Sequence, residues 1–228
     1  MRILHLYPNL MNLYGDHANV TLLKKHLEDQ GVEVIVDRRE VYESFDPDSY
    51  DLIYMGSGTE KNLMVALDEL NKYKYYLKKY VEEGKVLFLT GNAMEVAASR
   101  IDGRKALDLV GFDVVTTEKR YTGDVIVKNS EIGEVVGFIN RSTLIEGGLE
   151  HKLFDYDFRY EGLKDNEYEG YRYRNLFGTH IIGPVLVKNP CFMSFIVSIL
   201  MKGKYHKIAY PYEEDAYQTT LRELKKRK

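Results

Sequence analysis

Two short segments carry side chains and backbone groups that could take part in a reaction. Gly56, Ser57 and Gly58, called the glycine loop below, follow an apolar run. Backbone N–H groups of such a loop can approach an anion, although a tight strand-to-helix turn needs the same residues. Thr90 and Gly91 follow a second apolar run, at a place where a sharp strand-to-helix turn would form a nucleophile elbow. A threonine hydroxyl becomes a nucleophile only beside a positioned base, and none is adjacent in sequence, so an ordinary turn is the simpler interpretation.

The chain has a single cysteine, Cys191, at the start of a helical pattern that Pro190 opens. A small buried hydrophobe is the usual role for a cysteine at such a place. One cysteine excludes an internal disulfide and a structural zinc cluster, and we expect neither a metal nor a cofactor. No Lys-Ser or Lys-Thr pair follows the glycine loop, and no Gly-x-Gly-x-x-Gly follows the first apolar run, which argues against a nucleotide site.

Alternating strands and helices must position these segments. Short apolar runs predict four strands, at Ile3 to Tyr7, Val34 to Val36, Leu52 to Met55 and Val86 to Leu89. A helix through Val20, Leu23 and Leu27 follows the first strand, and one long helix over Leu63 to Leu77 follows the third. The alternation predicts an α/β fold with a mostly parallel central sheet and helices on both faces. Ligands of such sheets bind at the carboxyl ends of the strands, where the glycine loop and Thr90 lie.

The pattern of apolar residues changes in the second half of the chain, between Phe112 and Ile145. Its short β-rich runs predict antiparallel strands added to the same sheet rather than a second domain. These runs are Asp113 to Thr117, Asp124 to Lys128 and Glu134 to Ile139. We therefore expect one domain over residues 1–228.

Composition excludes several classes of protein. The formal net charge is −3, from 32 basic and 35 acidic side chains spread along the chain, so no footprint for a nucleic acid is evident. The one basic run, residues 225–228, closes a segment that begins with acidic residues, which is typical of a solvated helix end. No apolar run approaches the roughly 20 residues of a membrane span, and the first residues do not resemble a signal peptide. These features together predict a cytoplasmic protein.

Tyrosine is abundant, with 19 residues. Tyrosines commonly lie at the rim of a core, and they are also enriched at protein interfaces. Two groups stand out, Tyr73, Tyr75, Tyr76 and Tyr80 in one helical segment and Tyr156, Tyr160, Tyr168, Tyr171 and Tyr173 further on.

The segment from Leu6 to Val20 carries a resemblance to a known family. Its sequence, Leu-Tyr-Pro-Asn-Leu-Met-Asn-Leu-Tyr-Gly-Asp-His-Ala-Asn-Val, is similar to the opening of the cobyric-acid-synthase type of class I glutamine amidotransferases, and most of all to glutaminase subunits of lipid II isoglutaminyl synthase. Further matches are the glycine loop, Gly137 to Asn140 at the family's Gly-Phe-Glu-Asn, and the stretch from Glu169 to Pro190. The resemblance implies the fold of class I glutamine amidotransferases.

The resemblance also implies where a catalytic site would lie. In that family a cysteine in a Cys-Gly-Gly-Tyr-Gln elbow attacks the side-chain amide of glutamine, and a histidine in Gly-Thr-Tyr-Leu-His-Gly-Pro serves as its base. Thr90 and Ile182 occupy those positions here, so both reactive groups are missing. His180 would point to the same face of a strand as Ile182 but be displaced by roughly 7 Å, too far for a direct substitution. We expect a pseudo-active site built from Gly56, Ser57, Gly58, Thr90, Gly91, Asn140, His180 and Ile182.

Three functions remain open at this point. The leading hypothesis is a non-catalytic amidotransferase-like subunit, and the resemblance implies a Mur-ligase-like synthetase as its partner in the amidation of a cell-wall (peptidoglycan) precursor. A second is a repurposed hydrolase or transferase that uses Thr90, His180 or Cys191. A third is a sensor that binds a small molecule in the vacated pocket.

Overall fold

The computed structural model describes residues 1–159 and 168–228, and within them twelve strands form one sheet. In chain order the strands are β1 (Arg2–Leu6), β2 (Ile35–Arg39), β3 (Leu52–Met55), β4 (Val86–Thr90), β5 (Arg100–Ile101), β6 (Arg104–Lys105), β7 (Phe112–Asn129), β8 (Gly133–Gly147), β9 (Lys152–Arg159), β10 (Tyr168–Tyr173), β11 (Leu176–Thr179) and β12 (Ile181–Ile182). The α-helices of the described residues are α1 (His17–Asp29), α2 (Glu60–Asn71), α3 (Lys74–Glu82), α4 (Val185–Lys188), α5 (Pro190–Leu200) and α6 (Pro211–Lys225).

One half of the sheet is parallel, in the order β2-β1-β3-β4-β11. Thr90 at the end of β4 pairs with Thr179 of β11, and Leu89 pairs with Met55 of β3. The carboxyl ends of these strands meet at the same edge, so the glycine loop and Thr90 come together as the sequence predicted. The α/β fold with a mostly parallel centre is confirmed.

The other half of the sheet is antiparallel, in the order β10-β9-β7-β8-β12. Its strands extend the same sheet, as expected. The three predicted runs were too short, since the first two join into one 18-residue strand, β7, with an irregularity between Thr116 and Tyr121. Both parts pair with β8, so the strand continues through the residues that separate the two predicted runs.

The predicted long helix over Leu63 to Leu77 is wrong in one respect, because it is two helices, α2 and α3. Between them Tyr73 has φ −106° and ψ 4°, and its ring stacks on Phe45 with centroids 4.1 Å apart. After Thr90, residues Gly91–Ala97 form a 3₁₀ helix.

Helices cover both faces of the sheet and enclose two large apolar clusters. On one face Phe192 of α5 packs edge-on against Phe88 and Phe154, with ring centroids 5.6 Å apart in both pairs. The basic run at residues 225–228 closes α6, which ends at Lys225, and its side chains are largely exposed while they form surface ion pairs. Lys225 lies 2.8 Å from Glu134, and Arg227 lies 2.8 Å from Asp124.

The tyrosines divide between core and surface. Tyr80, Tyr168 and Tyr171 are buried, whereas Tyr75 and Tyr76 are exposed, and Tyr160 lies outside the described residues. Among the helices that the structure describes, none is both long and apolar enough to cross a membrane.

Candidate functional site

The end of β4 is anchored by a buried polar network. The Thr90 hydroxyl lies 2.8 Å from the Tyr54 hydroxyl and 3.4 Å from Oδ1 of Asp16. Tyr54 also donates to the carbonyl oxygen of Asp16 and accepts from the side-chain amide of Asn19. Asn19 in turn accepts a hydrogen bond from the backbone of Leu186 in α4. The Thr90 side chain is therefore fixed inside the protein and is wholly inaccessible to solvent.

Asp16 joins this network to the glycine loop. The Ser57 hydroxyl donates to Oδ2 of Asp16 over 2.6 Å, and the Ser57 backbone N–H donates to the same oxygen over 3.3 Å. Burial raises the pKa of Asp16 above its ordinary value, and the hydrogen bonds from Ser57 oppose that shift. Because one carboxyl group holds both Thr90 and Ser57, the elbow and the glycine loop lie within side-chain reach of each other.

A second set of hydrogen bonds joins Asn92, in the elbow segment that begins at Thr90, to the glycine loop. Asn92 accepts from the Gly58 N–H over 3.0 Å and donates to the Gly58 carbonyl oxygen over 2.9 Å. Gly91 has φ +61°, and a Cβ built on it would lie 3.1 Å from Cγ2 of Ile182. The segment after β11 therefore brings Ile182 directly beside the elbow.

These segments enclose a cavity of about 180 Å³ at the carboxyl edge of the parallel strands. Its volume suits a small polar molecule. The lining combines charged, hydroxyl and amide side chains with two apolar ones. It is made by Leu13, Tyr14, Ser57, Gly58, Thr59, Glu60, Asn92, Glu95, Arg120, Asn140, Arg141, Ser142, Thr143 and Ile182. Among the described residues, no cysteine or histidine is part of this lining.

The rim of the cavity is a chain of polar contacts. Asn140 donates to the Tyr14 hydroxyl over 3.0 Å and accepts from Nε of Arg120 over 2.7 Å. Arg120 also lies 3.4 Å from Glu60. Asn140 was predicted from the sequence as a site residue, whereas Tyr14, Arg120 and Glu60 were not.

A buried cluster of ionisable and hydroxyl side chains adjoins the cavity, and its members Glu95 and Thr143 are part of the cavity lining. Glu95 accepts from the Thr143 hydroxyl over 2.6 Å and lies 3.3 Å from Nε2 of His180. Glu169 accepts from the His180 backbone N–H over 2.6 Å and from the Thr179 hydroxyl over 2.8 Å. His180 is thus enclosed between two carboxylates and does not line the cavity.

Arg141 shares this interior. It donates to the carbonyl oxygen of Thr143, and its guanidinium lies over the Tyr121 ring, 5.1 Å from the centroid. Its Nε and Nη2 atoms are buried without a hydrogen-bond partner. Arg141 is nevertheless part of the cavity lining.

A family model that describes CobB/CobQ-like glutamine amidotransferase domains matches residues 2–190 of this chain. The chain belongs to that family. Among its relatives, the lipid II isoglutaminyl synthase (glutamine-hydrolyzing) subunit GatD of Streptococcus pneumoniae is 29% identical, covering 98% of this chain and 89% of that protein. The subunit of the same name from Staphylococcus aureus is 32% identical, covering 83% of this chain and 79% of that protein.

Solved structures show the same fold for this CobB/CobQ-like domain. A glutamine amidotransferase from Thermotoga maritima superposes with a TM-score of 0.53 at 11% identity, covering 99% of this chain and 92% of that chain. The predicted glutamine amidotransferase fold and the resemblance to GatD subunits are therefore confirmed.

Cys191 lies away from the site of this amidotransferase-like domain. Its Sγ donates to the carbonyl oxygen of Glu134 on β8, and it lines a different cavity between α5 and α6. Burial raises the pKa of the Cys191 thiol to about 11, so the thiol is protonated at neutral pH.

Sequence reasoning missed the residues that build the interior of the site. Asp16 lay inside the family-like opening, and its place in that motif was the available signal. Glu169 likewise stood within a matched segment. Glu95 lies one residue beyond the elbow motif as it is matched from Thr90, and its partners Thr143 and His180 come from distant parts of the chain.

Proposed function

We propose that this chain is a catalytically degenerate glutamine amidotransferase-like subunit. In this proposal it acts as a binding or regulatory partner of a Mur-ligase-like synthetase in the amidation of a cell-wall precursor. The whole chain, residues 1–228, serves as one amidotransferase-like domain in the cytoplasm. The chain keeps the framework of its family and does not release ammonia from glutamine.

The state and position of the single cysteine support the proposed loss of catalysis. The only cysteine in the sequence, Cys191, is protonated, bonded to Glu134 and lines a different cavity. Glutamine hydrolysis by this family's route needs a thiolate at the elbow, because a thiolate is the nucleophile that attacks the amide. Thr90 does not replace it, since its hydroxyl is buried against Tyr54 and Asp16. His180 does not supply a base to the cavity, since Glu95 and Glu169 enclose it.

The partner is inferred from the relatives. Both curated relatives are named as GatD subunits of a lipid II isoglutaminyl synthase, and this chain covers 89% and 79% of their lengths. The subunit retains its fold over that length, although its elbow has lost the thiol. It therefore also retains the surfaces with which a synthetase partner would associate. Selection for binding rather than for chemistry accounts for both features.

The proposal predicts a stable complex with a Mur-ligase-like synthetase from the same organism. When the untagged chain is produced together with a tagged copy of that synthetase, we expect the two to copurify in a fixed ratio and to coelute in size-exclusion chromatography. Such a complex buries a specific interface, typically at least about 1,200 Å² in total. A tagged Mur ligase that adds an amino acid to the same precursor, and has no amidation role, is the matched control.

Two results would contradict the partnership. One is elution of the chain at its own size when the synthetase is present in excess at micromolar concentration. The other is equal recovery with the synthetase and with the control ligase, which would indicate non-specific association.

The cavity favours a second candidate, a sensor of a small molecule. Glu60, Glu95 and Arg120 all belong to the lining of the cavity, so acidic and basic side chains border about 180 Å³ of space. Saturable binding of a small polar metabolite to the isolated chain, measured by calorimetry and lost in Arg120→Ala, would favour this candidate. Absence of binding by free amino acids and small carboxylates at millimolar concentration would count against it.

A further inference from the structure

Thr90 has the backbone of an ordinary strand residue. Its φ is −121° and its ψ is 151°, which is an extended conformation. Its side chain points into the polar network with Tyr54 and Asp16. In a nucleophile elbow the reactive side chain instead stands on a sharp, strained turn and is exposed above the sheet. Thr90 has neither that conformation nor that exposure.

The left-handed backbone conformation lies at the next residue, Gly91. Its φ of +61° lies in the left-handed region, which residues with a Cβ rarely adopt. A Cβ built on Gly91 would lie 2.4 Å from Cβ of Ser57 and 3.1 Å from Cγ2 of Ile182. Ser57 and Ile182 both line the cavity, so a side chain at position 91 would project toward it.

The elbow motif can also be counted from Gly91, a register that gives up the single identity of the Thr90 register, Gly91 with the motif's first glycine, and gains the similarity of Glu95 to glutamine. The family's Cys-Gly-Gly-Tyr-Gln then stands opposite Gly91, Asn92, Ala93, Met94 and Glu95. Glu95 takes the place of glutamine, a side chain of the same length, and Glu95 lines the cavity. Counted from Thr90, the motif ends at Met94 and leaves Glu95 outside.

We infer that Gly91, one residue after Thr90, stands where the family has its nucleophile, and that Ser57 fills the space that a side chain there would occupy. The inference rests on the proposed function, because it explains how neighbouring side chains fill the space of a missing nucleophile. Ser57 is held in place by its 2.6 Å hydrogen bond to Asp16, whose carboxyl group is fully buried. Ser57 is therefore the residue that decides whether the elbow can carry a side chain.

A double-mutant cycle of Gly91→Ala and Ser57→Gly tests the packing. Gly103→Ala is the matched control, because Gly103 has φ +78° and no atom within 4 Å of its Cβ position. Gly103→Ala therefore measures the loss of stability caused by a side chain on a left-handed backbone alone, without a steric clash. We expect Gly91→Ala to lower Tm by at least about 5 °C more than Gly103→Ala does, and Ser57→Gly to remove that excess.

Two outcomes of the cycle would overturn the inference. One is additivity, in which Gly91→Ala costs the same number of degrees in both backgrounds. The other is a double variant that fails to fold just as Gly91→Ala fails, since removal of the Ser57 side chain would then have relieved nothing. A single variant that does not fold beside a double variant that does would support it.

Thiol labelling tests which residue projects into the cavity. In a Cys191→Ser background, Thr90→Cys is compared with the pair Ser57→Gly and Gly91→Cys, and alkylation by iodoacetamide is followed by mass spectrometry. We expect labelling at position 91 to be at least about tenfold faster, because thiol reactivity requires access. Equal rates, or faster labelling at position 90, would contradict the inference. Neither measurement involves ammonia release, so failure of this inference and failure of the proposed function are distinguishable.

Discussion

Replacing Phe192 with alanine is expected to lower the free energy of unfolding by about 3–5 kcal/mol. Phe192 is completely buried in α5, and its ring packs against Phe88 of β4 and Phe154 of β9. Removing it leaves a cavity beneath the strand that ends in Thr90. Urea unfolding followed by circular dichroism measures the change.

Tyr212→Ala is the matched control for Phe192→Ala, since the Tyr212 side chain is 90% exposed. We expect that control to change the free energy of unfolding by no more than about 0.5 kcal/mol. A loss below about 1.5 kcal/mol for Phe192→Ala would show that α5 is not packed against β4 and β9 as described.

Replacing Glu169 with alanine is expected to cost about 3 kcal/mol of unfolding free energy. Glu169 is buried and accepts hydrogen bonds from the His180 N–H and the Thr179 hydroxyl. Without the carboxylate these donors lose their partner inside the protein. The segment that they hold leads to Ile182 beside the elbow, so the site should loosen as well as the fold.

Glu169→Gln and Glu131→Ala are the controls for this prediction. The amide keeps one acceptor oxygen and should cost less than alanine does. Glu131 pairs with Arg172 at the surface with its side chain 60% exposed, so its removal should cost no more than about 1 kcal/mol. Equal losses for Glu131→Ala and Glu169→Ala would mean that the buried cluster contributes nothing.

The parallel centre of the sheet could be predicted because its strands are short apolar runs. Ile3, Ile53 and Phe88 belong to strands that are covered on both faces, which requires a continuous apolar sequence. The edge strand β2 was harder, since the apolar run predicts a strand over Val34 to Val36, whereas the strand continues through Asp37 and Arg38, which pair in register with β1. Backbone pairing, which leaves no mark on composition, extends this strand.

The break between α2 and α3 could not be predicted from helical spacing. It accompanies the stacking of Tyr73 on Phe45, a contact between residues far apart in sequence. Spacing along one helix contains no information about such a partner. The same limit applies to the interior of the site, where Asp16 joins two loops and Glu95 meets His180.

The family motifs predict which segments form the site, and that assignment stays a prediction. Of the predicted site residues, Ser57, Gly58, Asn140 and Ile182 line the cavity, and Gly56, Thr90, Gly91 and His180 do not. The assignment of Thr90 to the nucleophile position stays a prediction, and the left-handed backbone of Gly91 supports the neighbouring residue instead. A motif alignment of five residues does not fix its register when the key side chain is missing.

Ammonia release from glutamine measures whether this chain retains the catalytic activity of its family. The assay uses the full chain, alone and with its synthetase partner, against a buffer control and against Cys191→Ser. We predict no release above the buffer in either condition, because no thiolate reaches the cavity. The opposite result is glutamine turnover by the wild-type chain that is abolished by Thr90→Ala or by Cys191→Ser. It would contradict the proposed function, since it would show that the chain retains a working nucleophile.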